Sequence, residues 1–239
     1  PTITIPKTDY TYTGKTIKPV PTVSLFGITL DPALYTVTYD SGCKNIGTYQ
    51  VKAVLKGKFL KGSASAMYNI VAKKLPSTVS IPKASYTYTG NAIKPTVTVK
   101  DGSKVLQRGT DYTVKYASNT NVGTATVTVT GKGNYTGTRK VTFQITKAAN
   151  TLTVKTSAKS YKQSSLTQKK TFSIGVANAK GKVTYALDSK AKAAKITVSS
   201  KGLVTVPKNC KKGTYRIKVT AAGNANYKSG SKTVTITVK

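Results

Sequence analysis

Tyr10-Thr-Tyr-Thr-Gly14-Lys-Thr-Ile-Lys-Pro19 returns as Tyr86-Thr-Tyr-Thr-Gly90-Asn-Ala-Ile-Lys-Pro95, an offset of 76 residues. The shorter stretch Asn45-Ile-Gly-Thr48 returns with the same offset as Asn121-Val-Gly-Thr124. A repeat of this length, with no long linker between its copies, indicates tandem small domains rather than one large fold. We therefore expect a modular array and not a single catalytic domain.

Short strand patterns occupy most of the chain. Apolar residues alternate with Thr in stretches such as Tyr35-Thr-Val-Thr-Tyr39 and Thr124-Ala-Thr-Val-Thr-Val-Thr130. Such alternation places one set of side chains on a core face and the other set in water. Turn residues, for example Asp101-Gly102 and Lys201-Gly202, separate these stretches. The fold class predicted is all-β, with three tandem antiparallel β-sandwich domains in an elongated array.

The repeat spacing predicts the domain boundaries: repeat 1 at residues 1–75, repeat 2 at 76–149 and repeat 3 at 150–239. The connecting segments Val71–Pro76 and Thr146–Asn150 are short, so neighbouring domains should be held semi-rigidly. Repeat 3 diverges at its start, but its Gly213-Thr-Tyr215 echoes Gly47-Thr-Tyr49. The chain begins at Pro1 without Met and stops inside a strand-like run, so we expect a fragment of a longer protein.

Composition argues against catalysis. The chain has 39 Lys and Arg against 6 acidic residues, and it contains no His, Glu or Trp. The absence of His removes the commonest general base and metal ligand, and six Asp supply few carboxylates for a glycosidase or a calcium site. We therefore predict no enzyme activity and no cofactor. Cys43 and Cys210 are expected to be free thiols, and no apolar run is long enough for a membrane span.

Several motifs of repeat 2 occur together in a known group of domains. They are the Tyr86 opening, Ile93-Lys-Pro95, Lys104-Val-Leu-Gln-Arg-Gly-Thr-Asp-Tyr112, Asn121-Val-Gly-Thr124 and Gly133-Asn-Tyr135-Thr-Gly137. With them the chain resembles the bacterial immunoglobulin-like repeat domains of large secreted and cell-surface proteins of Gram-positive gut bacteria. Repeat 1 departs from the pattern, because Leu30-Asp-Pro-Ala-Leu-Tyr35 replaces the Gly-Thr-Asp-Tyr turn and Phe59 stands where repeat 2 has Tyr135.

Repeat 3 resembles the group 2 bacterial immunoglobulin-like domains through Gly181-Lys-Val-Thr-Tyr185, Ile196-Thr-Val-Ser and Gly202-Leu-Val-Thr205. The resemblance implies immunoglobulin-like sandwiches that are extracellular, in a secreted or cell-wall-attached protein, and that carry no shared catalytic residues. It also implies that other domains of the same parent chain are partners, since such modules flank enzymes or adhesive heads.

The lysines of repeat 3 are the one anomaly of composition, because residues 151–239 hold 19 basic residues and a single acid, Asp188. Such a field attracts polyanions, and in an extracellular bacterial module these are an anionic cell-wall polymer or host mucin and other anionic glycans. A solvated, soluble surface is the alternative. The candidate polyanion-binding residues are Lys155, Lys159, Lys162, Lys169, Lys170, Lys180, Lys182, Lys190, Lys192, Lys195, Lys211 and Lys212.

Two pairs of tyrosines suggest a second possibility. Tyr10 and Tyr12, and likewise Tyr86 and Tyr88, stand two residues apart, so in a strand each pair shares a face. An exposed pair would stack on a sugar ring and make the chain a carbohydrate-binding module, whereas a packed pair would fasten the edge of the sandwich. Nucleic-acid binding is not predicted, since Arg occurs only at positions 108, 139 and 216 and no known binding motif is present.

Overall fold

The computed structural model describes all residues from 1 to 239, and it confirms the all-β prediction. Strands alternate with turns along the whole chain, and the single α-helix has five residues. By its internal contacts the chain divides into two units, residues 1–82, 95–117 and 126–142, and residues 83–94, 118–125 and 143–239. Because this division passes through repeat 2, the domain boundaries at 75/76 and 149/150 stay a prediction.

Repeat 1 forms a four-stranded sheet of order β2-β7-β6-β5 and a three-stranded sheet of order β1-β3-β4. A 3-10 turn at Pro32–Leu34 precedes β5. The strands are β1 (Thr2–Thr4), β2 (Asp9–Thr11), β3 (Thr22–Leu25), β4 (Ile28–Thr29), β5 (Tyr35–Tyr39), β6 (Gly47–Leu55), β7 (Ser63–Val71) and β8 (Lys73–Lys74).

Repeat 2 has the same plan, with a four-stranded sheet of order β10-β16-β14-β13 and a three-stranded sheet of order β12-β11-β9. The strands are β9 (Val79–Ser80), β10 (Ser85–Thr87), β11 (Thr98–Asp101), β12 (Lys104–Val105), β13 (Tyr112–Ala117), β14 (Gly123–Gly131), β15 (Tyr135–Thr136) and β16 (Thr138–Thr146). Strand β15 pairs with β8 of the connecting segment, with Tyr135 opposite Lys73.

Repeat 3 forms a four-stranded sheet of order β18-β25-β24-β21, a three-stranded sheet of order β19-β23-β22 and the pair β17-β20. A 3-10 turn spans Gln163–Ser165, and α1 spans Ser189–Ala193. The strands are β17 (Thr153–Val154), β18 (Ala158–Tyr161), β19 (Lys170–Ser173), β20 (Val176–Ala177), β21 (Val183–Leu187), β22 (Thr197–Val198), β23 (Leu203–Val206), β24 (Gly213–Ala221) and β25 (Gly230–Val238).

The sandwiches are not wholly antiparallel, which corrects the predicted fold class in one detail. In each four-stranded sheet the strand that comes first in the sequence pairs in parallel with the strand that comes last in the sequence. These pairs are β2 with β7, β10 with β16, and β18 with β25. In repeat 1 the chain pairs first with one sheet through β1 and then crosses to the edge of the other through β2. Each large sheet is therefore mixed.

The repeated Tyr-Thr-Tyr-Thr-Gly stretch and the Ile-Lys-Pro after it join the two sheets. Gly14 ends the stretch at φ +78°, a left-handed backbone that favours glycine. Beyond this turn the Ile17 amide donates to the Cys43 carbonyl at 2.7 Å, and the Tyr39 hydroxyl donates to the Pro19 carbonyl at 2.9 Å. These bonds hold in place the segment from Gly14 to Pro19, which leads from β2 of one sheet to β3 of the other. The motif therefore sets how the two sheets are connected.

Alternating side chains of the two sheets meet in the core of each sandwich. In repeat 3 the fully buried Val204 of β23 belongs to the same cluster as Ile217 of β24 and Ile236 of β25. Burial of one such side chain contributes roughly 1.5–3 kcal/mol. Cys43 and Cys210 are both buried free thiols, as expected.

Candidate functional site: a basic pocket in repeat 3

An open pocket of about 600 Å³ lies between the end of α1 and the loop that precedes β24. Its wall includes the residues from Pro207 to Tyr215 and the two alanines at the end of α1, Ala193 and Ala194. Five exposed lysines surround it, and we call this set the basic pocket: Lys190, Lys195, Lys208, Lys211 and Lys212.

The helix side of the basic pocket is fixed by Asp188. Its carboxylate accepts hydrogen bonds from the Ala191 amide at 2.7 Å and from the Arg216 amide of β24 at 3.1 Å. The first bond caps the N-terminus of α1, and the second ties that end to the large sheet. Ala191, within α1, is fully buried, and Lys195 adopts a positive φ of +59° just after the helix. Lys190 and Lys195 are placed at the pocket by these contacts.

The loop side is fixed by a tyrosine. The Tyr215 hydroxyl donates to the Lys211 carbonyl at 2.6 Å, and the Asn209 amide donates to the Leu166 carbonyl at 2.8 Å. Burial, reinforced by the neighbouring Cys210 thiol, raises the pKa of Tyr215 to about 12. The hydroxyl therefore stays protonated at neutral pH and holds the backbone of Lys211 in place.

No carboxylate neutralises the basic pocket from within repeat 3. Asp188 is the only acid among residues 151–239, and both of its oxygens accept backbone amides. Beyond the single negative charge of Asp188, the five ammonium groups must therefore be compensated by solvent ions or by a bound anion. Their mutual repulsion and their attraction for a polyanion both weaken as salt rises.

The basic pocket occupies the position that contacts a neighbouring repeat elsewhere in the chain. Counting back from the Gly-Thr pair that opens the long strand, Lys211 and Lys212 correspond to Asn45 and Ile46 of repeat 1. Ile46 donates its amide to the Oδ1 atom of Asn134 in repeat 2 at 2.9 Å. The same region is thus an interface in repeat 1 and a cationic depression in repeat 3.

Strand register extends this equivalence to the first strand of the sheet. Tyr10 pairs with Ile70, which also pairs with Gly47; Tyr161 pairs with Val238, which also pairs with Gly213. Tyr161 therefore corresponds to Tyr10, and Gln163 stands where repeats 1 and 2 have Tyr12 and Tyr88. We call Tyr12, Asn45 and Ile46, with their counterparts Tyr88, Asn121 and Val122, the docking face of repeats 1 and 2.

Only some of the predicted lysines come together. Four of the twelve line the basic pocket, namely Lys190, Lys195, Lys211 and Lys212. Lys192 is on α1 but does not line it, and Lys180 lies over the Tyr227 ring at 5.3 Å. The others that do not line it are Lys155, Lys159, Lys162, Lys169, Lys170 and Lys182.

The structure packs the four opening tyrosines and does not expose a flat aromatic platform. Tyr12 is buried, 6% exposed, and meets Tyr135 edge to face with centroids 5.6 Å apart. The partly buried Tyr10, Tyr86 and Tyr88 each meet another ring edge to face at 5.2–5.8 Å; their partners are Tyr68, Phe143 and Tyr227. None of the four side chains is exposed and each packs against another ring, so the geometry favours the packing alternative.

Sequence reasoning missed the residues that shape the basic pocket: Asp188, Cys210 and Tyr215. The signal for Tyr215 was present, because Gly213-Thr-Tyr215 repeats Gly47-Thr-Tyr49 and Tyr49 makes the same bond to the Asn45 carbonyl at 2.9 Å. No group of three or more His, Cys, Asp or Glu side chains is placed to hold a metal ion. The one α-helix, of five residues, is too short to span a membrane.

No family model matches the sequence, and no curated protein matches it. Among solved structures, Drosophila N-cadherin EC1-4 is similar with a TM-score of 0.30 and 12% identity, over 83% of this chain and 59% of that one. Mouse protocadherin-24 EC1-3 gives 0.31 and 8%, over 99% and 98%. A SusE-like surface-located polysaccharide-binding protein of Bacteroides thetaiotaomicron gives 0.25 and 11%, over 99% and 53%. At these identities no ligand or partner is assigned.

Proposed function

We propose that this chain is a non-catalytic, extracellular stalk and interaction module of a secreted or cell-wall-attached bacterial protein. In this proposal repeat 3 attaches to an anionic polymer, either a cell-wall polymer or a host mucin-type glycan, through the basic pocket. The observation that carries the proposal is the convergence of five lysines on one open pocket, in a repeat whose only acid is engaged by backbone amides.

The chemistry of the pocket favours a polymer over a small, specific ligand. Lysine is a flexible point charge and lacks the planar fork by which arginine recognises a phosphate or carboxylate in one geometry. Arg216, the one arginine of repeat 3, does not line the pocket. Several lysines acting together therefore give fast, weak and salt-sensitive binding that gains strength from repeated charges along a chain.

The six aspartates support the non-catalytic part of the proposal. Five of them accept hydrogen bonds from backbone amides or from an Asn side chain, and these are Asp9, Asp31, Asp40, Asp111 and Asp188. The sixth, Asp101, is paired with Lys73 at 2.8 Å. Each carboxylate is thus engaged in a local structural contact.

The test measures binding of the full chain to purified teichoic acid and to purified mucin, at about 20 mM and about 500 mM salt, which screens exposed charges. The pocket variant changes Lys190, Lys195, Lys208, Lys211 and Lys212 to Gln. A matched control changes five exposed lysines elsewhere in repeat 3 to Gln: Lys155, Lys159, Lys162, Lys169 and Lys170.

We expect binding at low salt that is abolished at high salt, lost in the pocket variant and largely kept in the control. Equal loss in the two variants would show that net charge and not the pocket drives attachment. Absence of binding to either polymer at low salt would leave only the stalk role.

A further inference from the structure

The junction between repeats 1 and 2 is built on an exchange of hydrogen bonds between the Asn134 side chain of repeat 2 and the Asn45-Ile46 loop of repeat 1. The Ile46 amide donates to the Oδ1 atom of Asn134 at 2.9 Å, and the Nδ2 group of Asn134 donates to the Oδ1 atom of Asn45 at 3.0 Å. In addition, the Lys73 amide of the connecting segment donates to the Asn134 carbonyl at 3.0 Å. All three of these bonds join Asn134 of repeat 2 to repeat 1 and its connecting segment.

The junction between repeats 2 and 3 repeats this exchange atom for atom. The Val122 amide donates to the Oδ1 atom of Asn226 at 3.0 Å, and the Nδ2 group of Asn226 donates to the Oδ1 atom of Asn121 at 3.0 Å. The Ala148 amide donates to the Asn226 carbonyl at 3.0 Å. Since the same three bonds recur, they are a property of the repeat and not of one junction.

An aromatic contact accompanies each exchange. Tyr135 follows Asn134 and meets Tyr12 at 5.6 Å with an interplanar angle of 77°, and Tyr227 follows Asn226 and meets Tyr88 at 5.3 Å with an angle of 82°. Edge-to-face pairs of this kind are directional and add about 0.5–1.5 kcal/mol beyond the area they bury. We call each Asn-Tyr pair, Asn134-Tyr135 or Asn226-Tyr227, the corner of its repeat.

We propose that the corner and the docking face form a selective pair, by which one repeat recognises the next. The partner that fits a corner is a β-sandwich whose Tyr-Thr-Tyr-Thr-Gly stretch and Asn-Ile-Gly or Asn-Val-Gly loop present the docking face. The interface is head to tail, because corner and docking face lie on different residues of each repeat. Selectivity arises because only a partner with both the asparagine loop and the tyrosine makes the two bonds of the corner amide together with the ring contact.

The corner position of repeat 1 and the docking face of repeat 3, which meet no neighbouring repeat in this chain, lack the residues of this pair. At the corner position of repeat 1 stand Lys58 and Phe59, and the Phe59 side chain is 99% exposed. At the docking face of repeat 3 stand Gln163, Lys211 and Lys212, and an ammonium group cannot accept the bond that Asn45 accepts from the corner amide. The recognition pair is therefore complete only at the two internal junctions, and neither outer face offers its half of the pair.

The test uses electron-spin distance measurements on the full chain, with Cys43 and Cys210 changed to Ala. Nitroxide labels at positions 52 and 115, which carry exposed lysines, report on the first junction, and labels at positions 94 and 218 report on the second. The variant N134K/Y135F gives repeat 2 the corner residues of repeat 1. We expect its narrow distance peak at the first junction to be lost, while the peak at the second junction stays.

The converse variant N226K/Y227F should disturb only the second junction, and K58N/F59Y, the matched control in repeat 1, should disturb neither. Circular dichroism and thermal melting establish that each variant is folded. If N134K/Y135F unfolds, N134A removes the same amide bonds and decides in its place. Broad distances in the unmodified chain, or a narrow first peak in the N134K/Y135F or N134A variant, would overturn the proposal.

Discussion

The docking face of repeat 1 and the basic pocket of repeat 3 occupy the same position of the same fold. In both, a tyrosine two residues after the glycine holds the loop: Tyr49 donates to the Asn45 carbonyl at 2.9 Å, and Tyr215 donates to the Lys211 carbonyl at 2.6 Å. The backbone support is therefore shared, and the side chains that it presents differ. Three side chains differ at this end of the sandwich. Tyr12, Asn45 and Ile46 make an interface in repeat 1, and Gln163, Lys211 and Lys212 stand at the same positions beside the basic pocket of repeat 3.

The difference also separates two kinds of contact. The docking face uses neutral amides and an edge-to-face ring pair, which are short-ranged and nearly independent of salt. The basic pocket uses exposed ammonium groups, whose field extends about 8–10 Å at moderate ionic strength. The first arrangement suits a fixed neighbour in the same chain, and the second suits an anionic partner met by diffusion.

The largest effect should come from the aromatic position of the docking face. Tyr12→Ala removes a buried ring that packs against Tyr135 and should lower the free energy of unfolding by about 3 kcal/mol. Gln163→Ala, at the corresponding position of repeat 3, should change it by less than about 0.5 kcal/mol. Urea unfolding followed by circular dichroism compares the two variants. Similar costs would show that the two faces are built alike, contrary to the structure.

The second prediction concerns the aspartate that places α1 beside the basic pocket. Asp188→Ala leaves the Ala191 and Arg216 amides without their carboxylate, and loss of an N-cap costs about 1–2 kcal/mol. We also expect weaker binding of teichoic acid, although the variant gains net positive charge. Asp31→Ala, which removes the cap of the 3-10 turn in repeat 1, is the matched control. Tighter binding by the Asp188 variant would mean that charge outweighs helix position.

The third prediction removes the shared tyrosine hydroxyl from each loop in turn. Tyr215→Phe leaves the Lys211 carbonyl without its donor, and Tyr49→Phe does the same for Asn45, so each should cost about 1 kcal/mol. Polymer binding should weaken only in the Tyr215 variant.

High pH should also remove this hydrogen bond, by ionising the Tyr215 hydroxyl. The pKa of Tyr215 is raised from 10.0 to about 12, so the stability of repeat 3 that is present below pH 10 should fall as pH rises toward 12. Full alkaline stability of repeat 3 would contradict this.

Much of the fold was readable from the sequence because the core follows a two-residue period. In β24 the residues from Tyr215 to Ala221 alternate between buried and less buried positions, as the Thr-rich and Lys-rich patterns predicted. The parallel edge strand was not predicted, because pairing direction depends on which sheet the chain joins after Ile5 and no local pattern encodes that. Alternation could not show the crossing from β1 to β2.

The site was only partly readable, for a related reason. The excess of lysine predicted a cationic surface, but composition does not say which of twelve lysines share a pocket. An alignment of the three repeats on their Gly-Thr pair points to the pocket. Asn45-Ile46 and Asn121-Val122 precede that pair in repeats 1 and 2, and Lys211-Lys212 precede it in repeat 3. Its meaning depended on the contacts of Asn134 and Asn226, which join residues 88 to 105 positions apart and leave no local signature.

The smallest effect should distinguish the two junctions by pH. Only the first contains a carboxylate: the hydrogen bond from Lys73 lowers the pKa of Asp101 below its usual 3.8, and Tyr135 also donates to that carboxylate at 3.1 Å. Because the folded pKa is lowered, the contribution of this ion pair to the first junction is present above pH 3.8 and is lost as pH falls through the folded value.

The Asp101–Lys73 pair is partly exposed, so its loss should cost less than about 1 kcal/mol. As the pH falls below 3.8, distance peaks should broaden at the first junction and not at the second, whose Asn226 contacts are uncharged, and D101N should reproduce the change at neutral pH. Equal broadening at both junctions would show that acid acts through the general positive charge of the chain.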